Sequence, residues 1–285
     1  MADVQIPTVD LSPFFTQDNE ASKKKAMETI TKACSEYGFF QIVNHGVPVD
    51  LLQRALELSR IFFDYPSEEK LKGSAPLDAP LPTGYNTQPQ YLSMFPPGSS
   101  FNIFPQNPPQ FNNEITLCTD MPIDTSSGRC FLQPDKNGCS CGDNRECLGL
   151  PTNFLKEFNQ DRSWDFMAAL RYFPATESEN NGFIQHEDGN CLSFVFQDDT
   201  CGLQILKDGK WIPVIPTKGT LVVNLGDVIQ VLSNNTFKSV TRSKGRSRYS
   251  FAIVHNLQGD KCHTSPTTLA NLPFIGVFNI LSINS

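Results

Sequence analysis

No apolar run in this 285-residue sequence is long enough to cross a bilayer. The longest, Gly38-Phe39-Phe40-Gln41-Ile42-Val43 and Thr220-Leu221-Val222-Val223, have the length of core strands. Positive charge is not in excess. The 23 basic residues against 30 acidic ones leave a net charge of −7, which argues against nucleic acid or an anionic membrane as the main partner. The start, Met1-Ala2-Asp3-Val4-Gln5, lacks the basic and apolar segments of a secretory leader, so a cytoplasmic location is expected. The 9 cysteines include no Cys-x-x-Cys pair, and an odd count makes a poor disulfide framework, so reduced thiols are expected. Histidine is scarce: only His45, His186, His255 and His263 occur. Internal repeats and low-complexity tracts are absent. With 39% hydrophobic and 19% charged residues, a folded core is expected rather than disorder.

What is present reads first as helices, then as strands. Residues 5–11 read as a short strand with a Pro at its edge and 20–36 as a helix, with Ala26, Ile30 and Ala33 on one stripe. Gly38 stops that helix, and Phe39 to Val43 read as a strand. A second amphipathic helix spans 49–63 and ends at Pro66, where Ser67-Glu68-Glu69 opens another short one. Residues 74–113, rich in Pro, Asn, Gln and aromatics, read as ordered loop with short strands. Residues 115–147 carry Cys118, Cys130, Cys139, Cys141 and Cys147 without helical or strand periodicity. From Asp165 onward the pattern is β: 167–173, 192–196, 202–206, 210–215, 219–223, 228–231 and 249–254, with Asp208-Gly209 as a hairpin turn. Short strands at this spacing point to a sandwich or jelly roll.

The chemistry-bearing residues fall in the β region. In a strand, positions i and i+2 face the same way, so His186 and Asp188 can present an imidazole nitrogen and a carboxylate oxygen to one metal ion. With a distant second His, such a pair makes the facial triad that holds non-haem Fe(II). The competing reading is an ordinary loop. Arg248 and Ser250 repeat the spacing, and a guanidinium with a neighbouring hydroxyl can cradle a carboxylate. The competing reading there is a surface pair on an edge strand.

The chain resembles the soluble plant Fe(II)/2-oxoglutarate-dependent dioxygenases, the family of flavonol synthases, gibberellin oxidases and hyoscyamine hydroxylase. The resemblance rests on Ile6-Pro7-Thr8-Val9-Asp10-Leu11, on Gly38 to Val47, on Asn102-Ile103-Phe104-Pro105 and on His186-Glu187-Asp188. It continues through Gln197-Asp198, Gly202-Leu203-Gln204, Val222 to Asp227, Ser233-Asn234-Asn235, Phe237-Lys238-Ser239-Val240 and Arg248-Tyr249-Ser250. It implies an α+β fold, a double-stranded β-helix (jelly roll) core with N-terminal flanking helices. The organisation it suggests is an N-terminal dioxygenase-type region at 5–113, an atypical Cys-rich segment at 114–147, the jelly-roll domain at 148–260 and an atypical tail at 261–285. By resemblance, His186 and Asp188 bind Fe(II), while Arg248 and Ser250 hold the far carboxylate of the cosubstrate 2-oxoglutarate. The implied reaction uses O₂, is stimulated by ascorbate, and hydroxylates or desaturates a small molecule of plant secondary metabolism while 2-oxoglutarate becomes succinate. Tyr85, Phe101, Phe104 and Phe194 are candidate walls of the substrate pocket, with core packing as their competing role. A monomer is expected.

The sequence departs from that family in several places. The family's third iron ligand is a His just after the Lys-Ser-Val segment, whereas Lys238-Ser239-Val240-Thr241 runs into Arg242-Ser243-Lys244. The stretch from Val240 to Arg248 is about four residues short, an even number that keeps strand parity. His255 lies at odd spacing from Arg248 and Ser250, so on a regular strand it points away from them. Arg242 in the gap would repel a cation. A catalytically impaired member that binds 2-oxoglutarate or another small molecule is therefore the alternative function. In Leu170-Arg171-Tyr172-Phe173, Arg171 and Phe173 replace an Asn and a Tyr that often stand near the cosubstrate, so no contact to it is expected there. Cys201 replaces the first Gly of a Gly-Gly pair, a substitution expected to strain a turn. The cysteines of 115–147 raise a zinc module as a third reading, which the missing Cys-x-x-Cys pair disfavours.

Overall fold

A computed structural model describes residues 5–16, 20–74, 84–86, 98–103, 165–172, 188, 190–226 and 248–255. The Cys-rich segment 114–147, the tail 261–285 and the expected strand 228–231 lie outside the described residues.

Two amphipathic helices back a large sheet. Helix α1 (Glu20–Glu36) buries Ala26, Ile30, Ala33 and Cys34 at helical spacing. It ends where Gly38, at φ +68°, turns its N–H back to the carbonyl of Ala33 at 3.0 Å. Glycine takes that left-handed conformation without steric cost. Helix α2 (Val49–Asp64) buries Leu52, Ala55, Leu56, Ser59, Phe62 and Phe63. Pro66 then opens the short helix α3 (Ser67–Leu71). Two cations bind the exposed end of α2: Lys70 Nζ and Arg171 Nη1 each donate to the carbonyl of Phe63 at 2.8 Å.

The strands are β1 (Thr8–Asp10), β2 (Phe39–Val43), β3 (Gly84–Asn86), β4 (Gly98–Ile103), β5 (Phe166–Tyr172), β6 (Leu192–Gln197), β7 (Gln204–Lys207), β8 (Lys210–Pro213), β9 (Leu221–Leu225) and β10 (Arg248–His255). Eight of them form one sheet in the order β1-β2-β9-β6-β10-β5-β4-β3, and β7 pairs β8 in a second. Among these strands only β1 with β2 runs parallel; the other pairs are antiparallel.

Strand alternation divides the apolar residues into two cores. On one face of the large sheet Phe40, Ile42, Met167, Ala169, Phe194, Phe196, Val223 and Phe251 pack with α1 and α2. On the other face Phe39, Val195, Val222, Ala252 and Val254 pack with Leu203, Ile205, Ile212 and Val214 in and beside the small sheet. A sheet covered by helices on one side and by a second sheet on the other is the expected jelly roll with N-terminal flanking helices.

Boundaries moved more than identities. The strand expected at 202–206 is shifted to Gln204–Lys207, and one further bond, Val214 N–H to Leu203 O at 2.9 Å, extends its pairing with β8. The strand expected at 219–223 is shifted to Leu221–Leu225, since Gly219 (φ +72°) and Thr220 belong to a turn closed by Thr220 N–H on Thr217 O. The hairpin turn is as expected, with Asp208 at φ 50° and Gly209 at φ 74°, both left-handed as a tight hairpin requires. Cys201 brings no strain. The non-glycine residues with positive φ among those described are Asn44 and Asp208, so the position tolerates a side chain.

Candidate active site

The face of the large sheet that meets the small sheet carries a line of polar residues among apolar ones. Ser193 on β6 and Asn224 on β9 are directly opposed in the ladder. Both reach Asp188: Asn224 Nδ2 donates to Asp188 Oδ2 at 2.7 Å, and Ser193 Oγ donates to the same oxygen at 3.1 Å. Asn190 Nδ2 donates to Ser193 Oγ at 2.8 Å, which leaves the hydroxyl proton for the carboxylate. Two donors on one oxygen fix the plane and direction of the carboxylate, as the partners of metal-binding carboxylates do.

The backbone around Asp188 is held as tightly. Gly226 N–H donates to Cys191 O at 2.9 Å, and a Cβ at Gly226 would collide with the backbone carbonyl of Asn190. Only glycine lets the end of β9 approach the 190–191 segment this closely.

Further along the same face stand Arg248 and Ser250 on β10. Arg248 is 6% exposed, its guanidinium carbon sits 5.3 Å from the ring centre of Tyr172, and its Nη2 donates to Gln197 Oε1 at 2.8 Å. Ser250 lies directly opposite Gln197 in the β10–β6 ladder and is 1% exposed. Its hydroxyl has no hydrogen-bond partner among the described residues. A buried hydroxyl left unsatisfied costs about 1–3 kcal/mol. A carboxylate placed beside the guanidinium would satisfy it, so these residues fit the far end of 2-oxoglutarate.

Asp188 and Arg248 thus address one face of β6, through Ser193 and Gln197. These anchors are four residues apart, roughly 13 Å along the strand. For iron, the described residues offer the oriented carboxylate of Asp188. Among them, no three His, Cys, Asp or Glu side chains gather as a metal site. His186 lies outside the described residues.

The two described histidines are committed elsewhere. His45 Nδ1 accepts the N–H of Val47 at 3.2 Å, so Nε2 carries the proton and donates to Gly219 O at 3.2 Å. Burial holds its pKa below 6.5, with the hydrogen bond to Gly219 opposing. His255 faces the helix side, as its odd spacing from Arg248 and Ser250 implies. Its Nδ1 bonds Asp165 Oδ2 at 2.8 Å and its ring meets Phe194 edge-on at 5.5 Å.

The candidate pocket walls do not gather at this face. Phe194 is on the helix side of β6, and Tyr85 packs on Phe62 at 5.6 Å in the helix-side core. Both take the packing role. Phe104 and the side chain of Phe101 lie outside the described residues. Arg171 also faces the helix side, bonding Phe63 O and pairing with Asp64 at 3.2 Å. Tyr172, next along β5, does reach that face.

Sequence reasoning passed over Ser193, Asn224, Asn190 and Gln197 as working residues. The signal was present in part. Asn224 is a lone amide inside the otherwise apolar Leu221–Leu225, and Ser193 and Gln197 share the parity of a buried strand face. A polar residue there needs a partner.

Residues 6–93 match the family described as the N-terminal region of non-haem dioxygenase in morphine synthesis, and residues 164–256 match the 2OG-Fe(II) oxygenase superfamily. The chain is 32% identical over 256 residues to flavanone 3-dioxygenase 2 of Oryza sativa subsp. japonica, covering 84% of this chain and 69% of that protein. It is 31% identical over 269 residues to flavonol synthase/flavanone 3-hydroxylase of Matthiola incana, covering 88% and 85%. Among solved structures, a full-length protein of Neurospora crassa in complex with alpha-KG and 5-formyluracil superposes with a TM-score of 0.75 at 20% identity, over 96% of this chain and 92% of that one. JOX2 in complex with 2OG, Fe and JA superposes with a TM-score of 0.74 at 25% identity, over 94% and 79%. The chain belongs to the plant 2OG-Fe(II) oxygenase family. Members of that family are 2-oxoglutarate-dependent dioxygenases, which implies Fe(II) as cofactor and 2-oxoglutarate as cosubstrate. No described helix is long and apolar enough to cross a membrane.

Proposed function

We propose that this chain oxidises a small plant metabolite, by hydroxylation or desaturation, at a centre where His186 and Asp188 hold Fe(II) and Arg248 with Ser250 holds the far carboxylate of 2-oxoglutarate. The observation that carries the proposal is the buried Arg248–Ser250 pair, whose hydroxyl lacks a partner among the described residues, on the face that Asp188 addresses. Bound iron and 2-oxoglutarate would supply O₂ activation, with decarboxylation of 2-oxoglutarate to succinate and stimulation by ascorbate. The protein's part is positional. Asn224 and Ser193 hold the Asp188 carboxylate still, and Tyr172 backs the guanidinium of Arg248. Val195, Val222, Ala252 and Val254 surround these groups with apolar surface that strengthens each charged contact. A monomer acting in the cytoplasm is part of the same reading.

A second reading rests on a specific observation: no His stands between Val240 and Arg248. A ligand set reduced to His186 and Asp188 would bind iron weakly, and the chain would then serve as a non-catalytic protein that binds 2-oxoglutarate or another small molecule. One assay separates the two. Succinate formation from 2-oxoglutarate is measured with Fe(II), ascorbate and a panel of plant metabolites that includes flavanones. The chain is run beside a version with His-Arg-Val-Val inserted after Thr241. Turnover by the unaltered chain supports the dioxygenase. Turnover only after the insertion supports the non-catalytic binder. Absence of both turnover and 2-oxoglutarate binding in either form rejects both readings.

A further inference from the structure

We propose that Gln197 is a third donor to the far carboxylate of the bound dicarboxylate, through its amide Nε2. The inference rests on the reading that Arg248 and Ser250 hold that carboxylate.

The argument begins with the direction of one hydrogen bond. A guanidinium can only donate, so the amide atom 2.8 Å from Arg248 Nη2 must be the oxygen of Gln197. That contact settles which end of the amide is which, a choice that coordinates alone often leave open. The other end is therefore an NH₂ group. It is buried, and it has no hydrogen-bond partner among the described residues.

Ser250 is the residue directly across the ladder from Gln197, and its buried hydroxyl is in the same condition. Two opposed strands thus present two buried, unsatisfied hydrogen-bonding groups beside one buried guanidinium. Left unsatisfied, each keeps the full desolvation penalty of a buried polar group. A carboxylate has two oxygens with room for about four donors, and it can accept from Arg248, Ser250 and Gln197 together. An amide or a hydroxyl in the same place has fewer acceptor sites. Gln197 would therefore do two things: its oxygen steadies Arg248, and its nitrogen reads the ligand.

The two roles are separable by exchanging what the ligand offers. In 2-oxoglutaramate the far carboxylate becomes an amide, whose NH₂ would face the NH₂ of Gln197. Gln197→Glu keeps an acceptor for Arg248 but replaces the donor with an acceptor, which suits the amide ligand and repels the carboxylate. Calorimetric titration of the full chain without added metal, so that no turnover occurs, reads both ligands directly. The unsubstituted chain is expected to prefer 2-oxoglutarate. Gln197→Met, of similar volume, is expected to lose about tenfold or more in 2-oxoglutarate affinity, as for one hydrogen bond to a charged group. Gln197→Glu is expected to reverse the preference and to bind 2-oxoglutaramate more tightly than the unsubstituted chain does. A residue that only steadies Arg248 would not produce that gain.

Thermal melting of each variant confirms that it is folded, and if Gln197→Met does not fold, the reversal in Gln197→Glu decides. The inference alone is overturned if Arg248→Met abolishes 2-oxoglutarate binding while Gln197→Met changes it less than twofold. It is overturned equally if Gln197→Glu weakens both ligands alike. If the unsubstituted chain binds neither ligand, the cradle itself is wrong and the inference falls with it.

Discussion

Ser193 and Asn224 stand opposite each other on neighbouring strands and converge on a single oxygen of Asp188, at 3.1 and 2.7 Å. A register slip of one residue in either strand would turn one donor to the opposite face. The sheet ladder therefore aims the carboxylate. Removing the shorter contact with Asn224→Ala is expected to lower metal affinity about 10- to 100-fold, with Ser193→Ala at the lower end of that range. Titration with Co(II), followed by its absorption bands, gives the affinity without turnover. Unchanged metal affinity in both variants would show that Asp188 is not held for a metal.

Gly226 is predicted to tolerate no side chain. Gly226→Ala drives a methyl into the carbonyl of Asn190, and either β9 or the segment carrying Asp188 must move. The expected loss is about 1–3 kcal/mol, as for other overpacked positions. Urea denaturation midpoints measure it, and metal affinity should fall in the same variant.

Arg171 is predicted to matter for stability and not for the cosubstrate. Its guanidinium spans from β5 to the last turn of α2, bonding Phe63 O at 2.8 Å and sitting 5.6 Å from the ring centre of Tyr249. Arg171→Met should cost about 1–3 kcal/mol in denaturant unfolding. Its 2-oxoglutarate affinity should stay within twofold of the parent chain. A large loss of affinity at unchanged stability would contradict the placement of this side chain.

Acid should loosen the fold through His45. Burial depresses the folded-state pKa below 6.5, so the unfolded chain takes up the proton first as pH falls. The contribution of His45 is thus fully present above pH 6.5 and drains away as pH drops toward the depressed folded value. Unfolding free energies between pH 7.5 and pH 5 should fall in the parent chain and fall less in His45→Gln, whose amide keeps a donor for Gly219. An identical decline in both would remove His45 as the cause.

Periodicity and turn chemistry carried most of the architecture. The stripe of Ala26, Ile30 and Ala33 marked α1 because a helix must bury one face, and Asp208-Gly209 marked a hairpin because few residues adopt two left-handed conformations in a row. The spacing of Arg248 and Ser250 placed both on one face, and the same parity placed His255 on the other. The pocket walls were harder. Phe194 and Tyr85 are aromatic and inward-facing in either role, and only the pairing of strands decides which core receives them. Gln197 was harder still. Its proposed role depends on Ser250, its neighbour across the ladder, which lies 53 positions later in the chain, and no local pattern joins the two.

The strand Arg248–His255 speaks to two audiences in alternate letters. Its even positions, Arg248, Ser250, Ala252 and Val254, turn toward the small sheet, while Tyr249, Phe251 and Ile253 press into the helices behind. A change confined to positions 248 and 250 would alter the proposed cradle and leave the helix-side packing of the strand in place.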